Sequence, residues 1–294
     1  MKRIVNLIQA VALFAACQPA RAQVFTFTRE QMIEYTAKNP YGRFPDGRPK
    51  APDSVLERMQ GLSAEEVHAV LPGAKFPNQY EGNWRLLHPG RKLIGRAVTA
   101  QFMPYRPDVA EVSESKAAAK GLGKNPNQRV IDMLQPGDVV VVDLFGKIEN
   151  GTFVGDNLAT AIHAATRTGG LVVDGAIRDL EGIFPIEMAA YFRGVHPSAI
   201  GNVMLTAVNV PVRIGNATVM PGDIVFGDRE GVYFVPPHLA EDILKKADVT
   251  HIHDEWTKAK FMTGKYRSSE LYPSPGDPAL KKEYEEYLKK KMEK

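Results

Sequence analysis

The hexapeptide Val139-Val140-Val141-Val142-Asp143-Leu144 constrains the fold more than any other part of this chain. A strand that is apolar at consecutive positions has no solvent face and must be covered on both sides. Gly170-Leu171-Val172-Val173-Asp174-Gly175 has the same character, and residues 158–166 between them have helical spacing. Strand, helix and strand in that order define an α/β core.

Around this core the punctuation is legible. Residues 54–59 read as helical, and Ser63-Ala64-Glu65-Glu66 is a Ser-x-x-Glu capping box that opens a second helix. Residues 93–100 read as a strand, and 107–129, charged and rich in Ala and Gly, as an exposed helix and loop. Short strands are expected at 203–212 and 224–226, separated by turns at Gly215-Asn216 and Pro221-Gly222-Asp223. Val232-Tyr233-Phe234-Val235 runs into Pro236-Pro237, which begins a helix extending past Lys246. Residues 23–50, broken by Asn39-Pro40, Pro45-Asp46-Gly47 and Pro49, read as an irregular arm.

Met1-Lys2-Arg3, an apolar run over 4–16 and Ala20-Arg21-Ala22 form an export leader, with cleavage expected after Ala22 and a periplasmic or secreted destination. The run is too short to span a bilayer, which takes about 20 residues. Lipidation at Cys17 is disfavoured by the bulky Phe14 before it. Cys17 is the only cysteine, so the processed chain has no disulfide and no thiolate site. Losing Lys2, Arg3 and Arg21 brings 37 Lys+Arg down to the 34 Asp+Glu, leaving no basic field for nucleic acid.

Two segments carry candidate chemistry. Gly155-Asp156-Asn157-Leu158 opens the 158–166 helix, whose free amides suit a carboxylate or phosphate, although Asp or Asn at that place is also an ordinary cap. Val173-Asp174-Gly175-Ala176-Ile177-Arg178-Asp179 ends a buried strand in adjacent opposite charges, at the strand end where ligands of α/β folds collect. Arg178 can grip an anion with two parallel hydrogen bonds, and Asp179 offers hard oxygen to Mg²⁺ or Mn²⁺. The plain alternative is a surface salt bridge in a turn.

These two segments resemble the RraA-like family, which includes 4-hydroxy-4-methyl-2-oxoglutarate aldolases. Phe192-Arg193-Gly194-Val195-His196-Pro197, Asn209-Val210-Pro211-Val212, Pro221-Gly222-Asp223 and Gly227-Asp228-Arg229-Glu230-Gly231-Val232 are similar to family blocks in the same order. The resemblance implies an α/β fold of β/β/α sandwich, swivelling-domain type, over residues 54–272, with an N-terminal arm at 23–53 and a charged C-terminal helix at 273–294. It implies assembly into homotrimers or homohexamers with sites at subunit boundaries. It also implies a divalent-metal-dependent carbon–carbon lyase acting on a pyruvate-type 2-keto acid such as 4-hydroxy-4-methyl-2-oxoglutarate or oxaloacetate, or alternatively a non-catalytic binding or regulatory protein.

Carried onto this chain, the resemblance gives Asp179 to the Mg²⁺ or Mn²⁺ ion and Arg178 to the substrate's keto or enolate oxygen. The backbone of Gly155, Asp156, Asn157 and Leu158 takes the carboxylate, and the Asp156 side chain positions a water for proton transfer. Glu255 is the nearest match to a glutamate that family members bring from a neighbouring subunit. Twenty-one residues separate Asp156 from Arg178, one more than the family's usual twenty; the extra one is expected in the loop Thr166-Arg167-Thr168-Gly169-Gly170.

Other histidines and tryptophans are given ordinary roles. His251 and His253, two apart, do not share a helix face and read as solvated. His163 packs or faces solvent, His196 takes a packing role with the rim of a pocket as its alternative, and Trp84 and Trp256 belong to the core or an interface. The lysines of 281–291 alternate with glutamates, as in a solvated or oligomer-bracing helix.

Overall fold

The four-valine run begins the strand Asp138–Val154, and each of its valines is fully buried. On one side this strand pairs in parallel with Leu93–Pro104, with Val139 opposite Ala97. On the other it pairs in parallel with Gly170–Ile177, with Val141 opposite Val172. Ala189–Val195 continues the parallel set. The structure, a computed structural model, describes residues 25–293. The leader over 1–22, with Cys17, lies outside the described residues.

These strands are the centre of a nine-stranded sheet. Its order is Tyr80–Glu81, Val232–Val235, Ile224–Gly227, Leu93–Pro104, Asp138–Val154, Gly170–Ile177, Ala189–Val195 and Arg85–Leu86, with Val203–Val208 also pairing with Leu93–Pro104. The odd and even residues of each central strand enter different cores. Val140, Val142, Leu171 and Val173 pack with Ile162 of the helix Asp156–Thr166 and Val130 of Pro126–Ile131. Val139, Val141 and Val172 pack instead under the hairpin Val212–Ile214/Ala217–Val219. Hairpin, sheet and helices are the three layers of a β/β/α sandwich, and consecutive burial follows from a sheet covered on both faces.

A further cluster joins Ile94, Ile224, Phe226 and Val235 to the helices Asp53–Gln60, Ala64–His68 and Ala240–Phe261. The capping box forms as expected: the Ser63 amide donates to Glu66 Oε2 at 2.7 Å, and the Glu66 amide donates back to Ser63 Oγ. Among the described residues no helix is long and apolar enough to cross a membrane.

The N-terminal arm is more ordered than its punctuation suggests. It holds a helix, Arg29–Tyr35, capped by Thr28, and a short hairpin, Gly42–Arg43 with Pro49–Lys50. Phe25 joins the sheet edge through its amide to Thr206 O and its carbonyl to Val208 N. Arg48 is driven into the interior, where its guanidinium meets both oxygens of Asp138 at 2.7 and 3.1 Å. The two side chains are 2% and 0% exposed.

At the other end Asp277 caps the helix Pro278–Met292, which lies on Ala240–Phe261 through Tyr284 against Trp256 at 5.4 Å and a Lys260–Glu283 ion pair at 2.7 Å. His253 turns its ring edge-on to Tyr284 at 5.2 Å, so it packs rather than being solvated. His251, by contrast, is exposed and pairs with Glu66.

Pro221-Gly222-Asp223 places a carboxyl group in the interior. Asp223 is 3% exposed, its Oδ2 accepts the Met220 amide at 2.8 Å, and burial pushes its pKa up to about 7. The unfolded chain gives up this proton near 3.8, whereas the fold retains it until about 7. Stability is therefore expected to fall as pH rises from about 4 to about 7 and then to level off. Asp223→Asn keeps the acceptor and removes the titration, so the melting temperature of the variant should drift less over that window. Calorimetric scans across pH that run parallel for the two proteins would refute this.

Candidate functional site

Gly155 stands at the junction of Asp138–Val154 and Asp156–Thr166, in an extended conformation, and its carbonyl accepts the Ala159 amide at 3.0 Å. The first turn of this helix presents amides with no intrahelical partner. One of them is engaged locally, because Asn157 N donates to Asp156 Oδ1 at 2.7 Å. Those of Asp156 and Leu158 have no partner among the described residues.

The Gly170–Ile177 strand delivers Arg178 to the same place, anchored by its amide on Val154 O at 3.0 Å. Asp179 follows in the left-handed region, at φ 57° and ψ 46°, and heads the short helix Leu180–Ile183. Its carbonyl takes the amides of Gly182 and Ile183, both at 2.9 Å, but its side chain makes no capping bond. A non-glycine residue held at positive φ costs of order 1 kcal/mol or more, and such residues gather at functional sites. The carboxylate reaches the Arg178 Nε at 3.3 Å with both side chains part-exposed, a contact of little value for stability.

Two glycines draw these groups together. A Cβ at Gly155 would collide with the Asp179 carboxylate and lie 3.1 Å from Arg178 Nε. A Cβ at Gly182 would lie 2.8 Å from Asp156 Cβ and 2.9 Å from its Oδ2. Arg178, Asp179, Asp156 and the free helix amides are therefore neighbours. The additional residue between Asp156 and Arg178 leaves this geometry intact: the helix runs unbroken to Thr166 and ends at Arg167, where φ is 62° and the chain turns toward the strand.

Arg178 and Asp179 form one wall of a groove of about 200 Å³ that Leu180, Val195, His196 and Pro197 complete. The His196 ring is fixed by its Nδ1, which accepts the Ser198 amide at 3.2 Å and lies 2.8 Å from Ser198 Oγ. That hydroxyl oxygen in turn accepts the Asn150 amide at 2.7 Å. An amide can only donate, so the neutral ring carries its proton on Nε2.

A family model described as RraA-like, Aldolase/RraA, matches residues 73–234, more than half of the chain. This chain belongs to the RraA-like family. Protein DlpA of Legionella pneumophila is 29% identical over 217 residues, which cover 72% of this chain and 32% of DlpA. A protein of Halalkalibacterium halodurans with the provisional name 4-hydroxy-4-methyl-2-oxoglutarate aldolase is 31% identical over 120 residues, covering 41% of this chain and 56% of that protein. The chain thus spans about a third of the first relative and just over half of the second. The crystal structure of Streptomyces coelicolor RraAS2, described as an unusual member of the RNase ES inhibitor RraA protein family, matches with a TM-score of 0.60 at 28% identity. That match covers 73% of this chain and all of RraAS2.

Among the described residues of this RraA-like chain, no group of three or more His, Cys, Asp or Glu side chains converges. The oxygen donors here are two carboxylates, Asp179 in the groove with no capping bond and Asp156 against Gly182, with one oxygen occupied by Asn157. Mg²⁺ and Mn²⁺ keep several waters and accept one or two carboxylates, so these residues fit such an ion, whereas zinc prefers a nitrogen and sulfur cage. Glu255 does not line the groove within one subunit. Lys291 grips both its oxygens at 2.8 and 2.9 Å and, with Tyr287, holds its carboxyl below the usual range.

Proposed function

We propose that this chain is a lyase that cleaves the C3–C4 bond, one bond removed from the keto carbon, of a pyruvate-type acid such as oxaloacetate or 4-hydroxy-4-methyl-2-oxoglutarate, with Mg²⁺ or Mn²⁺. The observation that supports it best is the crowding at Gly155, which presses a guanidinium and a carboxylate against the open end of a helix. A salt bridge formed only for stability has no need of that placement.

The free amides of Asp156 and Leu158 and the helix dipole receive the 1-carboxylate. Arg178 faces the keto oxygen and neutralises the charge that gathers there as the bond breaks and its electron pair becomes the pyruvate enolate. Asp179 directly, and Asp156 through water, would hold a divalent ion, which would supply Lewis acidity for the developing enolate charge. From oxaloacetate the departing fragment is carbon dioxide, and the enolate carbon takes its proton from water held at the Asp156 carboxylate. His196 donates its Nε2–H to the distal end of the substrate, and Leu180, Val195 and Pro197 keep bulk water away. We further assign the protein to the periplasm or the medium, as a homotrimer or homohexamer in which Glu255 completes a neighbour's groove after leaving Lys291.

The test is pyruvate release from both acids, with and without Mg²⁺, by the processed chain. Metal-dependent turnover supports the lyase; a folded protein that binds Mg²⁺ yet turns over neither acid would replace it with a binding role. His196→Phe should raise KM about tenfold, the value of one hydrogen bond, with a smaller change in kcat. Steady-state kinetics that leave KM untouched would remove His196 from substrate contact.

A further inference from the structure

A second cleft lies away from the groove at Arg178. It has a volume of about 490 Å³ and opens between the Ala64–His68 helix and the strand Val232–Val235. Its floor is Leu71 and Tyr233, 1% and 6% exposed. Tyr80 lies on Tyr233 with ring centroids 4.8 Å apart, and His68 and Phe76 extend the walls. Two carboxylates, Glu65 and Glu230, stand among the lining residues, and none of the twelve is Lys or Arg. Arg229, next to Glu230, is turned away and donates from Nε to Pro89 O at 3.0 Å.

Aromatic faces present negative charge to a cation, and carboxylates at the rim supply the remaining attraction. A space of this size matches those that enclose small molecules. The tyrosines register the same field: burial first, then Glu230 and Asp228 among the acids, raises the Tyr80 hydroxyl, and Tyr233 is pushed up to about 12 by burial, Tyr80 and the same two acids. An anionic 2-keto acid is repelled by such a cleft, so its ligand is of a different class from that of the Arg178 groove.

We infer that this cleft is a binding site for a small organic cation, an amine or quaternary ammonium on an apolar body, seated on Tyr80 and Tyr233 between Glu65 and Glu230. The inference is independent of the chemistry at Arg178. Titration calorimetry of the full chain with benzylammonium chloride, benzyl alcohol and sodium benzoate tests it. Benzylammonium should bind about tenfold more tightly than the neutral alcohol, and benzoate should give no saturable heat. Glu65→Gln with Glu230→Gln, both at exposed positions, should reduce the cation to the level of the alcohol while leaving the melting temperature unchanged. Equal affinity for alcohol and cation, an affinity for the cation unmoved in the double variant, or no saturable binding of benzylammonium would each overturn the site.

Discussion

Arg178→Ala is expected to lower kcat for oxaloacetate by about 10²- to 10³-fold, the usual cost of removing one donor to a developing oxyanion. Folding should be little affected, because the side chain is part-exposed and, among the described residues, its only ion pair is the 3.3 Å contact with Asp179. Arg178→Lys should recover part of the loss, since an ammonium restores charge without the paired geometry of a guanidinium. Gly155→Ala gives a complementary result. Its methyl group occupies the place of the Asp179 carboxylate, so activity should fall although every charged group remains. Kinetics on the three variants beside their melting curves provide the check, and full activity in Gly155→Ala would contradict the role given to that close contact.

Arg48→Ala should cost about 3–5 kcal/mol of stability, because it leaves the Asp138 carboxylate buried without its counter-charge. For a chain of this size that corresponds to a melting temperature lower by roughly 10 °C. Part of the loss is dispersion, since the guanidinium also lies over the Phe44 ring at 4.2 Å. Denaturant unfolding measures it directly. A loss below about 1 kcal/mol, the range of an exposed pair, would mean that the arm is dispensable to the domain.

The arm shows where sequence reading stops. Arg48 and Asp138 are 90 positions apart, and nothing in Pro45-Asp46-Gly47-Arg48 announces that the arginine is bound for the interior. The local signals there are Pro and Gly, which speak of turns and not of what a turn is fastened to. The core was legible because Val139–Val142 and Leu171–Val173 lack a polar face, and that property is local. Gly155, Arg178 and Asp179 were legible as residue types at a strand and a helix end. The crowding that unites them depends on the Cβ-free faces of Gly155 and Gly182, which meet only in the folded chain. The sequence favours packing for His196; its place in the groove depends on Ser198 and Asn150 holding the ring, a relation without periodicity. The sequence points His253 to solvent because its cover, Tyr284, arrives from a separate helix.

The order of strands in the sheet also sets a timetable. Leu93–Pro104 is bonded on one edge to Asp138–Val154 and on the other to Ile224–Gly227, which the ribosome makes roughly 130 residues later. At about 5–20 residues per second, that strand waits on the order of 10 s before both neighbours exist. The backbone N–H and C=O groups that residues 93–96 turn to that edge lack their partners throughout this interval, so no N-terminal half can acquire a finished sheet on its own. Folding is therefore tied to completion of the chain, and a pause before residue 224 should yield aggregation-prone material rather than a stable fragment.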